Sequence, residues 1–328
     1  MDYWCNPFYN LSKLEFMAQF PISQTTTDRG TNNPDLLAWS KDDIENRFGF
    51  KGGRYTSVNH AFAFLIGALL TGILYALMIL VFSHLPVVSK VATIYMRPSN
   101  QFAVIPATFF FFGGIAILFL KGRKIKFQER ALKLSAVPAE PDFILTETTA
   151  ATVLARIHAL VDQPRHFVLL NRIDRALSNF KNIGQVNDVS AILRAQAQND
   201  EDQVASSYTV VNGLVWAIPV LGFIGTVLGL SLAIGRFTQT LQAAGDLTLI
   251  RASLQGVTGG LATAFESTLV ALTFTLILQL VITFQQKREM AFLDECNDYC
   301  HSHIVSKLRL ADRQPPPSSA QISAPAKP

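Results

Sequence analysis

Charged residues are scarce in this 328-residue chain, and their absence is concentrated in four windows. They make up 16% of the sequence, whereas soluble domains carry about 25%. None occurs in residues 55–89, 98–120 or 204–235, and residues 252–286 contain only Glu266. A helix needs roughly 20 apolar residues to cross the hydrocarbon core of a bilayer, and each window can supply them. The sequence therefore predicts an all-α integral membrane protein with four transmembrane helices.

Other absences exclude whole classes of function. Three cysteines cannot form a disulfide framework. No glycine loop of the G-x-x-x-x-G-K type is present, so ATP is not indicated as an energy source. No Ser/His/Asp or Cys/His arrangement indicates a nucleophile with its base, so we expect neither an enzyme nor a cofactor. The first 54 residues lack the basic segment and early apolar stretch of a cleavable signal peptide.

The basic residues lie beside the apolar windows and indicate how the chain crosses the membrane. We place the spans at about residues 61–84, 102–120, 209–235 and 258–284. Six basic residues follow the second span within residues 121–133, whereas the short connectors before the second and fourth spans contain two each. The positive-inside rule then places both termini and residues 121–207 in the cytoplasm. Topology thus explains the net charge of +4 better than nucleic-acid binding does.

These spans divide the chain into six predicted segments. A cytoplasmic N-terminal segment (1–60) precedes two peripheral, lipid-facing spans (61–120), a cytoplasmic helical domain (121–207), two pore-forming spans (208–285), a cytoplasmic helical extension (286–312) and a Pro-rich tail (313–328). We expect the helices of the third and fourth spans to extend into the cytoplasm. The tail cannot bury apolar surface and is predicted to be disordered.

Small residues recur in the third span and at the start of the fourth. Gly225 and Gly229 form a small-xxx-small pair, which lets two helix backbones approach closely. Pro219 and Gly222 precede this pair, and Gly260 lies near the start of the fourth span. The pattern predicts helix–helix packing, which is common in membrane proteins and does not by itself indicate a function.

The fourth span is unusually polar for a membrane helix. It carries Thr263, Glu266, Ser267 and Thr268 within six positions. Thr275 lies seven residues after Thr268 and therefore on the same helical face, as the lining of a water-filled lumen requires. An ionisable group at membrane depth costs several kcal/mol and is a functional candidate. Glu266 lies about 160° around the helix from Thr268, so we interpret it, with Thr263, as a proton relay or a structural carboxyl site.

A second cluster of polar residues follows the fourth span. Cys296, Cys300 and His303 share one helical stripe, and thiolate and imidazole groups are suitable zinc ligands. The same spacing also fits a buried stripe in which thiols pack as small apolar groups. We favour packing and expect no metal site.

Two of these runs resemble the MotA/TolQ/ExbB proton-channel family. The run Pro219-x-Leu-Gly-Phe-Ile-Gly-Thr226-Val-Leu-Gly229 is similar to the second-helix motif of that family. The run Gly260-Leu-Ala-Thr-Ala-Phe-Glu-Ser-Thr268-Leu is similar to the helix that follows in TolQ and ExbB. The chain departs from that pattern at Thr263, where TolQ and ExbB have a glutamate.

The resemblance implies a homopentameric ring in the bacterial inner membrane. The five copies would surround two copies of a single-span partner of the ExbD/TolR/MotB type, whose membrane aspartate takes and releases protons. By motif position, Thr226 and Thr268 would line the route of the proton or other cation, with Thr275 on the same face. Such a subunit would couple the ion gradient to mechanical work. The alternative is a non-conducting membrane scaffold with the same helix packing.

Overall fold

The computed structural model describes residues 37, 39, 43–50, 52–82, 92, 94–134, 136–138, 143–178, 186–242 and 247–308. The predictions for residues 1–36 and for the tail at 313–328 lie outside these residues. Over the described ranges the secondary structure is helical, and no strand is formed. Two isolated bridges, Leu37 with Val161 and Leu145 with Leu308, are the β-type contacts seen there. The prediction of an all-α fold is confirmed.

The helices follow one another closely along the chain. Their bounds are α1 (Ile44–Arg47), α2 (His60–Phe82), α3 (Pro98–Leu132), α4 (Glu147–Leu160), α5 (Val168–Ser178), α6 (Val186–Ser207), α7 (Thr209–Gln242) and α8 (Leu247–Cys300). A short 3-10 helix, Pro164–His166, precedes α5, and a π-helical turn, His301–Val305, follows α8. Only a turn at Tyr208 separates α6 from α7.

Four of these helices, α2, α3, α7 and α8, are long and apolar enough to cross a membrane, which confirms the predicted number of spans. The last two residues of the predicted first span, 83 and 84, lie outside the described residues. With a rise of about 1.5 Å per residue, α7 is about 50 Å long and α8 about 80 Å. The hydrocarbon core is only about 30 Å thick, so both helices are longer than the core is thick.

Helix α3 packs against α2, α7 and α8 and is the most enclosed of the four. A Cβ atom added to Gly67 of α2 would lie 2.7 Å from the backbone nitrogen of Gly113, so these two helices touch backbone to backbone. Phe111 of α3 stacks on Phe274 of α8, with ring centroids 4.3 Å apart. The predicted peripheral, lipid-facing position of the first two spans concerns an assembly and stays a prediction.

A buried ionic cluster joins four parts of the chain at one end of the apolar helices. We call Thr56, Lys121, Tyr208 and Glu289 the Glu289 cluster. The Nζ atom of Lys121 lies 2.7 Å from Oε2 of Glu289, and both side chains are at most 1% exposed. The hydroxyl of Tyr208 donates to the same carboxylate over 2.8 Å, and the Thr56 hydroxyl also donates to it. These hydrogen bonds compensate the carboxylate for its lost hydration.

A second buried ionic contact fixes the segment before α2 to α3. The Nζ atom of Lys124 lies 2.7 Å from Oε2 of Glu45 and donates to the carbonyl of Ser57 over 2.8 Å. Glu45 also accepts a hydrogen bond from the backbone of Asn59 over 2.9 Å. Lys121 and Lys124, which the sequence presents as ordinary basic residues after a span, are therefore buried and committed to ion pairs.

The helices α4, α5 and α6 pack with the end of α8 into an apolar core next to these ionic clusters. Arg172 of α5 is buried and pairs with Asp200 of α6 over 2.7 Å. Asn171 donates to the Tyr55 hydroxyl over 2.7 Å, and burial, with the nearby Asp200 charge, raises the pKa of Tyr55 to about 12. That hydroxyl therefore stays protonated at working pH.

The cysteines of the candidate zinc cluster lie in this core. Cys296 and Cys300 are both buried. Within the part of the chain that the structure describes, no group of three or more His, Cys, Asp or Glu side chains is placed to hold a metal ion. His303 instead stacks on the ring of Tyr299, with centroids 4.3 Å apart.

Candidate functional site

The helices α7 and α8 pack against each other through small residues. A Cβ atom added to Gly222 would lie 2.5 Å from the Cβ of Ala271, and one added to Gly260 would lie 2.5 Å from the Cβ of Ala233. One added to Gly229 would lie 3.2 Å from the nearest atom of α8. Carbon atoms prefer separations of about 3.5–4.0 Å, so any larger side chain at Gly222 or Gly260 would force the two helices apart.

Gly225 lies where α3 joins this helix pair. A Cβ atom added there would lie 2.7 Å from the Cβ of Ala103 on α3 and 2.7 Å from Oγ of Ser267 on α8. Ser267 is buried and donates to the carbonyl of Ala264 over 2.9 Å. Pro219, two turns before, is half-buried inside α7, which continues past it. Three helices thus meet around Gly225.

The hydroxyls of Thr226 and Thr268 meet between α7 and α8. They lie within hydrogen-bond distance of each other, and both side chains are half-buried. Thr226 Oγ1 also lies 3.1 Å from the carbonyl oxygen of Ala264, and Thr268 Oγ1 lies 3.2 Å from that of Gly222. Each hydroxyl has one proton and several acceptors, so the pair can exchange hydrogen-bond partners across the two helices.

The other hydroxyls predicted on α8 are placed differently. Thr275 is half-buried and donates to its own helix, to the carbonyl of Ala271, over 2.9 Å. This is the local bond that threonines in membrane helices commonly make. Thr263 lies on α8, but its side chain is outside the described part of the chain. The structure thus brings Thr226 and Thr268 together and leaves Thr275 two turns further along.

Glu266 is in an ion pair with a residue that the sequence did not identify. Nη1 of Arg97, immediately before α3, lies 3.0 Å from Oε2 of Glu266. The two side chains are 36% and 24% exposed, so the pair lies at the surface of the single chain. It is on another face of α8 from Thr268, as the helical spacing requires. In the sequence, Arg97 is one of two basic residues in the short connector before the second span, and nothing there identifies it as the partner of Glu266.

The site therefore consists of neutral hydroxyls between two closely packed helices, with one ion pair nearby. Neutral hydroxyls can hold water or pass a proton, but they cannot trap a charged partner in a salt bridge. Residues 161–295 match the model of the MotA/TolQ/ExbB proton channel family. We call this segment the MotA/TolQ/ExbB domain. A search of curated proteins and a search of solved structures gave no match.

The family match covers about two fifths of the chain and contains the whole hydroxyl site. It includes α5, α6, α7 and most of α8, whereas α2 and α3 lie outside it. The resemblance inferred from the two sequence runs is confirmed for this segment. Four helices long and apolar enough to cross a membrane, together with this match, indicate a multi-pass membrane protein.

The helices outside the MotA/TolQ/ExbB domain contribute residues to it. Arg97 pairs with Glu266, and Lys121 pairs with Glu289. Sequence reasoning missed both contacts, because they join residues more than 160 positions apart. The sequence did contain a signal for the contact between Lys121 and Glu289. Glu289 is an acidic residue that directly follows two basic residues, Lys287 and Arg288, at the end of a span.

Proposed function

We propose that the chain is the ring subunit of an ion-driven motor in the bacterial inner membrane. In this proposal five copies surround two copies of a single-span subunit of the ExbD/TolR/MotB type. A membrane aspartate of that subunit carries the proton or other cation, and the ring converts ion flow into mechanical work. Thr226, Thr268 and Thr275 line the ion route.

One observation carries this proposal: the paired hydroxyls of Thr226 and Thr268 lie inside the MotA/TolQ/ExbB domain, where two helices contribute one polar group each. Around them the membrane segments of α7 and α8 are almost without charge. A neutral surface of this kind allows a partner carboxylate to move past it. The charge that binds the ion would then belong to the partner subunit.

Exposed apolar residues on α7 and α8 support an assembly in the membrane. Trp216 is 78% exposed, and Phe223 and Phe265 are each more than 60% exposed. Large apolar surfaces of this extent mark contacts with lipid or protein. In the proposed pentamer, part of this surface packs against the neighbouring copies and the rest faces lipid.

The basic residues support the proposed orientation, with both termini in the cytoplasm. The pair of Lys121 and Glu289 places the end of the charge-free part of α3 level with the end of the fourth span. The exposed Arg123, Lys126 and Lys287 follow at this end. The positive-inside rule then makes it the cytoplasmic end, so the extension of α8 and the helices α4–α6 are cytoplasmic.

We infer that Glu266 has a structural role rather than a relay role. Its carboxylate lies against the guanidinium of Arg97, which connects α8 to the start of α3. An ion pair of this kind holds two helices together, as expected of a structural carboxyl. Thr263 would then be a neutral neighbour on the same helix.

Proton flux into liposomes that contain the chain and its partner subunit tests the proposal. Thr226→Val and Thr268→Val keep the side-chain shape and remove the hydroxyl. We expect each to lower the flux about fivefold or more, because losing one hydrogen bond at a barrier costs about 1 kcal/mol. The pentameric assembly, measured by native mass spectrometry, should be unchanged.

Thr273→Val is the matched control for this experiment. Thr273 is exposed on the same helix and donates to its own helix at the carbonyl of Leu269 over 2.8 Å. Its loss should leave the flux unchanged. If the Thr226 and Thr268 variants also conduct normally, these hydroxyls are not on the ion route.

The second candidate is a scaffold without conduction. The backbone carbonyls of Gly222 and Ala264 lie within bonding distance of Thr226 and Thr268, as expected of hydroxyls that only join two helices. An intact pentamer with its partner subunit that shows no flux would establish this alternative.

A further inference from the structure

A cleft opens beside α3 at the level where its apolar stretch ends. Its volume is about 410 Å³, within the range of sites that bind small ligands. One wall is the outer face of α3 from Phe119 to Arg130, and the opposite wall includes Trp39 and Ile44. The cleft lies outside the MotA/TolQ/ExbB domain and is separate from the hydroxyl site.

The α3 wall changes from apolar to basic along one stripe. Phe119, Arg123, Lys126 and Arg130 recur at intervals of four, three and four residues, which places them on the same side of the helix. All four side chains are exposed, and the ring of Phe119 is 64% exposed. A ligand in the cleft would therefore meet an apolar surface at one end and guanidinium and ammonium groups at the other.

The floor of the cleft is a fixed ionic contact. Lys124 points between Asp43 and Glu45, with Nζ–oxygen distances of 3.6 and 2.7 Å. Two carboxylates surround this one ammonium group, so the floor has a formal charge of −1, and the three exposed basic residues leave the cleft with a net charge of +2. Their number and placement indicate a ligand that is an anion.

Trp39 contributes an unused hydrogen-bond donor to the opposite wall. The residue is only 2% exposed, and its indole N–H has no hydrogen-bond partner among the described residues. Its ring is held by Phe127 and by Phe167, at centroid distances of 5.7 and 5.6 Å. A buried donor without a partner is costly, and a small shift of the Trp39 ring toward the cleft would let a ligand oxygen accept from it.

We propose that this cleft binds the phosphate headgroup of an anionic phospholipid. Arginine side chains bind phosphate oxygens in a bidentate manner, and the indole N–H can donate to the same group. The exposed Phe119 ring at the apolar end would contact the acyl chains, which a soluble phosphate ester does not have. Basic residues next to a span are attracted to anionic lipid, and here they line a cleft with a buried donor.

Native mass spectrometry of the detergent-solubilised full chain tests this proposal directly. The probes are phosphatidylglycerol and phosphatidylcholine with identical acyl chains. We expect one phosphatidylglycerol per subunit, bound about tenfold or more tightly than phosphatidylcholine, because only the first has a net negative charge. Equal binding of the two lipids would overturn the proposal.

Two sets of variants separate the cleft from general surface charge. Arg123→Gln with Arg130→Gln should weaken phosphatidylglycerol binding about 30-fold. Arg194→Gln with Lys287→Gln removes the same charge from exposed positions outside the cleft and should leave binding unchanged. An equal loss in both double variants would reduce the effect to net charge and refute a site.

Trp39→Phe tests the donor, because it keeps an aromatic ring and removes the N–H group together with part of the indole. We expect about fivefold weaker binding of phosphatidylglycerol and a lower melting temperature, because the smaller ring leaves a cavity at a buried position. A competition experiment with sn-glycerol 1-phosphate distinguishes a lipid headgroup from a soluble phosphate ester. Failure of sn-glycerol 1-phosphate to displace the lipid supports a lipid site, whereas displacement at similar concentrations would assign a soluble phosphate ester and overturn the lipid proposal.

Discussion

The buried pair of Lys121 and Glu289 should be the most sensitive ionic contact in the protein. Glu289→Gln keeps the shape of the side chain and removes its charge, which leaves the Lys121 ammonium buried without a counter-ion. Breaking a buried ion pair on one side costs about 3–5 kcal/mol. For a domain of this size we expect the melting temperature to fall by roughly 10 °C.

The neighbouring residue in the sequence provides a matched control. Arg288 makes two hydrogen bonds of 2.7 and 2.8 Å to Glu129, but its side chain is 42% exposed. Exposed pairs contribute at most about 1 kcal/mol. Glu129→Gln should therefore lower the melting temperature by only a few degrees, although its hydrogen bonds are as short as those of Glu289.

A double variant isolates the electrostatic contribution. Lys121→Met with Glu289→Gln removes both charges, while the amide oxygen introduced at position 289 would still accept from the Tyr208 hydroxyl. We expect this double variant to be more stable than Glu289→Gln alone by about 2 kcal/mol, because no unpaired buried charge remains. The assay is thermal unfolding in detergent, followed by tryptophan fluorescence.

Two results would contradict a strong stabilising role of the buried pair of Lys121 and Glu289. If Glu289→Gln is no less stable than Glu129→Gln, burial does not set the cost of losing the pair. If the double variant is less stable than the unmodified protein by the sum of the losses measured for Lys121→Met and Glu289→Gln alone, Lys121 and Glu289 do not interact energetically.

The remaining predictions concern the helix pair and the ion pair beside it. Gly222→Ala should destabilise the protein by about 1–3 kcal/mol in thermal unfolding, because the new Cβ would lie 2.5 Å from that of Ala271. Gly213→Ala on the same helix meets open space and should show no loss, so equal melting temperatures would contradict the close approach. Glu266→Gln and Arg97→Gln should both retain proton flux and lose similar stability. Loss of flux in Glu266→Gln alone would make Glu266 a relay.

Helix α3, which lies outside the MotA/TolQ/ExbB domain, packs against that domain and restricts its movement. In the single chain, α3 lies against both α7 and α8, and its Ala103 reaches the point where Gly225 and Ser267 meet. Movement of α7 relative to α8 would therefore have to be accommodated by α3. The Glu289 cluster fixes α3 to α8 at one end, and Arg97 contacts Glu266 at the other.

The sequence by itself determined the four spans and the resemblance of one segment to a family. Apolar windows long enough to cross the hydrocarbon core have one stable conformation in lipid, a helix, because backbone groups have no other partners there. The runs around Thr226 and Thr268 were specific enough to indicate the MotA/TolQ/ExbB family, and the family model matches residues 161–295. Helical periodicity also placed Glu266 and Thr268 on different faces of one helix.

Only the tertiary structure decided which distant side chains meet. The sequence presents Lys121 and Lys124 as two more basic residues after a span, yet both are buried in ion pairs. It presents Arg97 and Glu266 as unrelated residues, although they pair across 169 positions. Local periodicity fixes the face on which a residue lies, but the partner depends on how the helices pack. For that reason the ionic contacts and the cleft at Trp39 required the fold.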